Sequence, residues 1–192
     1  MLDETILVAI VGKSCTGKDT LSKRLMEYLS PNISHKIVSF TTRPPRESEI
    51  EGVDYYFKTR KEFFSTRLLE WTKFRKWYYG TPSFEIQKNK INIGVFNLQG
   101  LRQLYKHKKN HYRIIPVYLE EKFSTRRWRM HQRDGFRLEN IRRWIVDFKD
   151  FYKIKLSMGR NWIILSNINN VRKQTDLCLS RLEERLGEVI FI

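Results

Sequence analysis

Gly12-Lys13-Ser14-Cys15-Thr16-Gly17-Lys18-Asp19-Thr20 fits the pattern G-x-x-x-x-G-K. The glycines of such a loop let successive backbone N–H groups curl around a phosphate, a following helix adds its N-terminal dipole, and the lysine ammonium reaches the β/γ-phosphates of a nucleotide. Asp19 stands where a Ser or Thr hydroxyl normally ligates Mg²⁺, with Thr20 beside it. An aspartate there either ligates the metal, directly or through water, or repels the nucleotide. A second group of residues also suits an anion. Arg43 and Arg46 lie in a loop stiffened by Pro44 and Pro45, with Tyr55 downstream. Two guanidiniums held close together repel unless an anion bridges them, and their planar forks match phosphate oxygens.

These residues need elements to hold them. Thr5 to Val11 is a continuous apolar, β-branched run ending at Gly12, which predicts a buried parallel strand feeding a helix over Thr20 to Leu29. Further strands are expected over Lys36 to Phe40, Lys90 to Phe96, Tyr112 to Leu119 and Trp162 to Leu165. Helical patterns cover Lys61 to Glu70, Glu121 to Arg133, Leu138 to Leu156 and Val171 to Leu186, while Thr41 to Asp54 reads as an ordered loop. Strands alternating with helices predict an α/β fold with a mostly parallel central sheet flanked by helices.

The chain has 192 residues, and 41% hydrophobic and 14% aromatic content is too much for a disordered basic tail. One compact domain is expected. No apolar run approaches the ~18 residues of a membrane span, and the first residues are acidic where a signal peptide would be basic. Cys15 and Cys178 form no disulfide framework and match no metal spacing, so a reducing, cytoplasmic compartment is expected. The formal charge of +16 implies anionic partners. It is concentrated: Lys88 to Arg113 holds seven basic and no acidic residues, and Lys122 to Arg160 twelve basic against four acidic. A polyanion or protein partner at 88–113 is therefore one expectation.

The segment Ser39-Phe40-Thr41-Thr42-Arg43-Pro44-Pro45-Arg46-Glu47-Ser48-Glu49-Ile50-Glu51-Gly52-Val53-Asp54-Tyr55 resembles the guanylate kinase signature S-x-T-T-R-x-P-R-x-G-E-x-x-G-x-x-Y, with Ser48 replacing a glycine. Leu69-Glu70-Trp71-Thr72-Lys73-Phe74 and Tyr78-Tyr79-Gly80-Thr81 resemble the family's I-E-W-x-x-F and Y-Y-G-S/T. The resemblance implies a P-loop NTPase fold in which ATP, with Mg²⁺, phosphorylates a nucleoside monophosphate, GMP or dGMP. It implies that Arg43, Arg46, Tyr55 and Tyr79 hold the acceptor phosphate, with Glu49 the acid of that loop. Ser39, Glu70 and Thr81 would contact the guanine. Lys18 and the loop Gly12 to Thr20 would hold ATP, with Asp19 and Thr20 near the metal and Asn167 beside the adenine. Arg129 and Arg133, with Arg142 or Arg143 beyond them, resemble lid arginines. The implied division is a core of about 1–35, 83–120 and 157–192, an acceptor-binding region of about 36–82 and an arginine-rich helical lid of about 121–156.

The chain also departs from the family. Val95 and Asn97 stand where two aspartates are usual, which leaves both phosphate clamps intact but weakens the choice of guanine. Some phage deoxynucleoside monophosphate kinases and other guanylate-kinase-like enzymes use diverged acceptor pockets, and the resemblance extends to a diverged, phage-type enzyme of that kind. Two readings from other classes stay open at this level: a guanylate-kinase-like domain that binds a partner without catalysis, and a nucleic-acid-binding protein on a P-loop scaffold, tracking phosphates with its basic stretches.

Overall fold

The computed structural model describes residues 4–106, 112–135, 144–145, 147–148, 151, 161–168 and 170–187. In chain order its elements are β1 (Thr5–Gly12), α1 (Lys18–Tyr28), β2 (Ser34–Lys36), β3 (Phe40–Thr41), β4 (Tyr56–Phe57), α2 (Arg60–Ser65), β5 (Leu68–Phe74) and β6 (Trp77–Pro82). They continue with β7 (Ile91–Val95), α3 (Leu98–Lys106), β8 (Tyr112–Glu120), α4 (Phe123–Asp134), β9 (Ile163–Ser166) and α5 (Val171–Leu186). The central sheet runs β2-β7-β1-β8-β9 with every pairing parallel. A second sheet, β4-β3-β6-β5, is mixed: β3 pairs β4 in parallel and β6 antiparallel, and β5 and β6 form an antiparallel hairpin.

The apolar run of β1 is explained by burial on both faces. Ile6, Val8 and Ile10 pack with Leu21, Leu25 and Leu29 at α1, and with Cys178, Leu179 and Leu182 of α5. Leu7, Ala9 and Val11 point to the other side, against Leu98, Leu101 and Leu104 of α3. Alternation along a strand covered twice over leaves no polar position between Ile6 and Val11. Each fully buried Leu of α1 contributes roughly 1.5–3 kcal/mol, which fixes the helix that follows the phosphate loop.

The expected strands at β1, β7, β8 and β9 and the helix at α5 are present. Three local expectations change. Lys36 to Phe40 is not one strand: β2 lies in the central sheet and β3 in the second, and the chain crosses between them where Val38 N–H donates to the buried Glu85 Oε2 at 2.7 Å. The helix expected to Glu70 stops at Ser65, because Leu68 to Phe74 pairs with β6 instead. Its start carries a capping box between Thr59 and Glu62. Helix α3 lies outside the expected elements, and Gly100 within it disfavours helix by about 1 kcal/mol relative to Ala. Asn97 compensates by accepting a hydrogen bond from Gly100 N–H at 2.7 Å. Of the pattern Leu138 to Leu156, only residues 144, 145, 147, 148 and 151 are described, and these are helical.

Candidate functional site

The phosphate loop connects β1 to α1 as expected. A Cβ on Gly12 would lie 2.5 Å from the Leu119 carbonyl oxygen, so only glycine lets β1 and β8 close at this point. Cys15 (φ 62°) and Gly17 (φ 97°) turn the chain through left-handed backbone. No side chain caps α1, which leaves its first N–H groups facing the loop. Lys18 Nζ donates to the Lys13 carbonyl at 2.9 Å, and Thr16 Oγ1 donates to the same oxygen at 2.9 Å. Desolvation pulls the Lys18 ammonium below its ordinary pKa, opposed by the charges of Asp19 and Asp147. Asp19 and Thr20 are exposed in the first turn of α1.

Helix α4 packs arginines onto this loop. Arg129 Nη1 donates to the carbonyls of Cys15 and Thr16 at 3.4 and 3.3 Å, and its Nη2 lies 3.6 Å from Glu121. Arg126, which the sequence reading did not single out, is 4% exposed and donates from Nε to the Ser14 carbonyl at 2.9 Å. Its partner is Asp147, 2.7 Å from Nη2. The signal was present as helical spacing, because Arg126, Arg129, Met130 and Arg133 recur at i, i+3, i+4 and i+7. Arg133 lies on α4 but its side chain is outside the described residues, as are Arg142 and Arg143. Asn167 follows β9 with φ 53°; its backbone N–H donates to the Glu120 carbonyl at 2.8 Å and its side chain is exposed.

The second anion site is assembled from loop 43–55 and β6. Arg43 Nη2 donates to both oxygens of Glu49 at 2.8 Å, Arg46 Nη1 lies 3.2 Å from the same carboxylate, and Arg46 N–H donates to it at 2.8 Å. The bridging anion predicted for two neighbouring guanidiniums is thus supplied by the chain. Burial pushes the Glu49 carboxyl up, but the Arg46 N–H and the Arg43 guanidinium outweigh it and hold the pKa below the usual carboxylate value. Arg43 also lies 5.7 Å from the Tyr55 ring centre, and Tyr55 packs edge-on against Tyr79 at 6.2 Å. Arg43 Nε is buried with no hydrogen-bond partner.

Between β3, β5, β6 and α3 lies a buried polar chain. Thr81 Oγ1 donates to Glu70 Oε1 at 2.8 Å and lies 3.4 Å from Ser39 Oγ. Glu70 is 6% exposed, and desolvation raises its pKa to about 7. A Cβ on Gly100 would come within 2.4 Å of Glu70 Oε2, so this glycine lets α3 approach the carboxylate. Asn97 is tied into the same wall, donating from Nδ2 to Thr72 Oγ1 at 2.6 Å. Asp19, Ser39, Arg46, Glu49, Tyr55 and Val95 face a common cavity of about 200 Å³. It joins the start of α1 to the two-arginine loop.

Of the basic stretch 88–113, residues 88–106, 112 and 113 are described. Lys88, Arg102 and Lys106 are exposed, Lys90 Nζ donates to the Pro31 carbonyl at 3.4 Å, and Arg113 pairs with Glu4 at 3.0 Å. Among the described residues no group of three or more His, Cys, Asp or Glu could hold a metal. No described helix is long and apolar enough to cross a membrane.

A parallel sheet with a phosphate loop between a central strand and a helix, and with the start of that helix sharing a cavity with a two-arginine loop, defines a class: proteins of the P-loop fold. The model of the guanylate kinase family matches residues 4–143, and the chain belongs to that family. Its relatives include a guanylate kinase of Thermosynechococcus vestitus, 40% identical over 125 residues, covering 60% of this chain and 64% of that protein. A Bacillus cereus guanylate kinase is 42% identical over 87 residues, covering 43% of this chain and 42% of its own length. The matched parts thus span between about two fifths and two thirds of these relatives. The crystal structure of a guanylate kinase from Anaplasma phagocytophilum shares the fold, with a TM-score of 0.69 and 21% identity over 100% of this chain and 92% of that one.

Proposed function

We propose that this chain is a nucleoside monophosphate kinase that transfers the terminal phosphoryl group of ATP to GMP or dGMP. The observation that carries the reading is the shared cavity, which brings Asp19, at the start of the phosphate-loop helix, opposite Arg46 and Tyr55 of the second anion site. Lys18 and loop 12–20 take the donor phosphates. Arg43, Arg46, Tyr55 and Tyr79 take the acceptor phosphate, with Glu49 holding the two guanidiniums in register. Glu70 accepts from the N–H edge of guanine, and Thr81 and Ser39 hydrogen-bond the base beside it. Arg129, Arg133 and Arg142 or Arg143 neutralise charge on the migrating group, and Asn167 lies near the donor base.

No general base is needed, because the nucleophile is already an anionic phosphate. The protein's work is alignment and charge neutralisation. The acceptor-binding region, about 36–82, and the lid, about 121–156, close over the core and exclude water. Asp19 and Thr20 offer exposed hard oxygen donors, few enough to suit a Mg²⁺ that takes its other ligands from phosphates and water. When bound, that ion neutralises charge on the β/γ-phosphates. A cytoplasmic location is part of the same proposal; it suits the substrates proposed, and the free Cys15 and Cys178 accord with it.

A coupled ADP-release assay with ATP, Mg²⁺ and a panel of monophosphates tests the proposal. The highest kcat/KM is expected for GMP and dGMP. Absence of turnover with every monophosphate would overturn it.

A further inference from the structure

Ser14 is held on both sides of its peptide by residues far away in sequence. Its N–H donates to Asp147 Oδ2 at 2.9 Å, its hydroxyl lies 3.3 Å from Oδ1, and its carbonyl accepts from Arg126 Nε at 2.9 Å. Arg126 Nη2 closes the ring on Asp147 Oδ2 at 2.7 Å. The pair is largely buried, with side-chain exposures of 5% and 13%. Asp147 also attracts the Lys18 ammonium, which Arg126 repels. An anion that accepts from a phosphate-loop N–H, pairs with an arginine and favours the loop lysine has the electrostatic surroundings of a phosphate oxygen pair.

We infer that Asp147 is a stand-in for a phosphate of the donor, and that Arg126 behind it is a further phosphate-binding residue. The inference rests on reading loop 12–20 as the donor site. A bound polyphosphate and the Asp147 carboxylate would compete as like charges for one N–H and one guanidinium, and the phosphate, with more charge and more acceptor oxygens, is the stronger claimant. When the carboxylate leaves, Arg126 does not stay buried and unpaired, because the phosphate replaces its partner. Beside the ring lies a cavity of about 540 Å³, lined by Lys13, Arg126, Trp144 and Asp147 among others, with room for the exchange.

A structural brace predicts the opposite sign. If Asp147 merely holds the loop in shape, neutralising it weakens nucleotide binding. If it competes, neutralising it strengthens binding. Calorimetric titration of the full chain with ATP, inorganic tripolyphosphate and adenosine decides between them, using the wild type, Asp147→Asn, Asp147→Ala, Arg126→Leu and Lys18→Ala, each checked for a cooperative thermal melt. Both Asp147 variants are expected to bind ATP and tripolyphosphate several-fold to about tenfold more tightly, with adenosine unchanged. Arg126→Leu is expected to bind both phosphates more weakly. Equal or weaker tripolyphosphate binding by the Asp147 variants overturns the inference, as does an equal gain for adenosine. Loss of ATP binding in Lys18→Ala alone keeps the donor-site reading standing in that case. Absence of ATP binding in the wild type and all variants overturns both.

Discussion

Each of the two anion sites is filled by a carboxylate of the protein, and the two carboxylates are held in different ways. Glu49 lies six residues from Arg43 and takes its bonds from Arg43, Arg46 and the Arg46 N–H, all within one short loop. Asp147 reaches Ser14 across 133 residues of chain and joins two separate helical segments to the phosphate loop. A local clamp adds almost no loop-closure cost and persists through domain motion, whereas a remote one moves with the segment that carries it. Glu49 therefore preorganises its arginines from within their own loop, where Arg43 Nε is buried with no hydrogen-bond partner. Asp147 marks one state of the donor site.

The strongest way to break this comparison is to remove one cation from each side. Lys18→Ala and Arg43→Ala should each lower kcat/KM by about 10²–10³-fold, as loss of a preorganised charge at a transferring phosphoryl group does. The defects should differ in kind, with ATP parameters affected in the first and acceptor parameters in the second. Steady-state kinetics with each substrate varied in turn checks this, and near-normal turnover in either variant would remove the site assignment. Glu70→Gln comes next. If Glu70 meets the guanine edge as proposed, replacing it by an amide presents a donor to one of two N–H donors, and kcat/KM for GMP should fall by about 10²-fold, with a much smaller loss for IMP, which lacks the 2-amino group. Glu49→Gln should be milder, raising the acceptor KM by about tenfold, because the arginines lose their spacer but remain charged. Equal effects of Glu49→Gln on ATP and acceptor would contradict the local character of that clamp.

The same contrast explains what could be read from the sequence. Motifs whose parts are close along the chain were legible: the phosphate loop, the Arg43–Arg46 pair and the strand β1, whose apolar run reports burial on both faces. Contacts between distant segments were not. Helical spacing puts Arg126 on the same face of α4 as Arg129, but its role comes from two distant contacts, the Ser14 carbonyl and Asp147. Glu85 is similar, since a lone glutamate after Phe84 does not announce that it accepts from Val38 N–H and lies 3.3 Å from His35, the contacts that divide the expected strand Lys36 to Phe40 between two sheets. The β5–β6 hairpin was hidden by an amphipathic pattern that suits a helix up to Glu70, and strand pairing overrode that local preference.

The finest discrimination comes from pH, because Glu49 is a half-buried carboxyl held by two arginines, whereas Glu70 is buried beside the Thr81 hydroxyl. For Glu49 the folded pKa is depressed, so its contribution to stability is present above the ordinary carboxylate value and is lost as pH falls through the folded value. For Glu70 the folded pKa is raised from 4.5 to about 7 by burial. Between those values the native state holds a proton that the unfolded chain has lost, so stability declines as pH rises from 4.5 and levels off above about 7, with a steepest slope near 1 kcal/mol per pH unit. Guanine binding asks for the other protonation state, since two N–H donors require the ionised carboxylate. The fold should therefore loosen over the same interval in which GMP binding tightens. Between about pH 6.5 and 7.5 the acceptor KM should fall about threefold while the melting temperature drops, and both slopes should vanish in Glu70→Gln. A KM that stays level across this range in the wild type would show that Glu70 is not the carboxylate that meets the base, whatever the stability profile does.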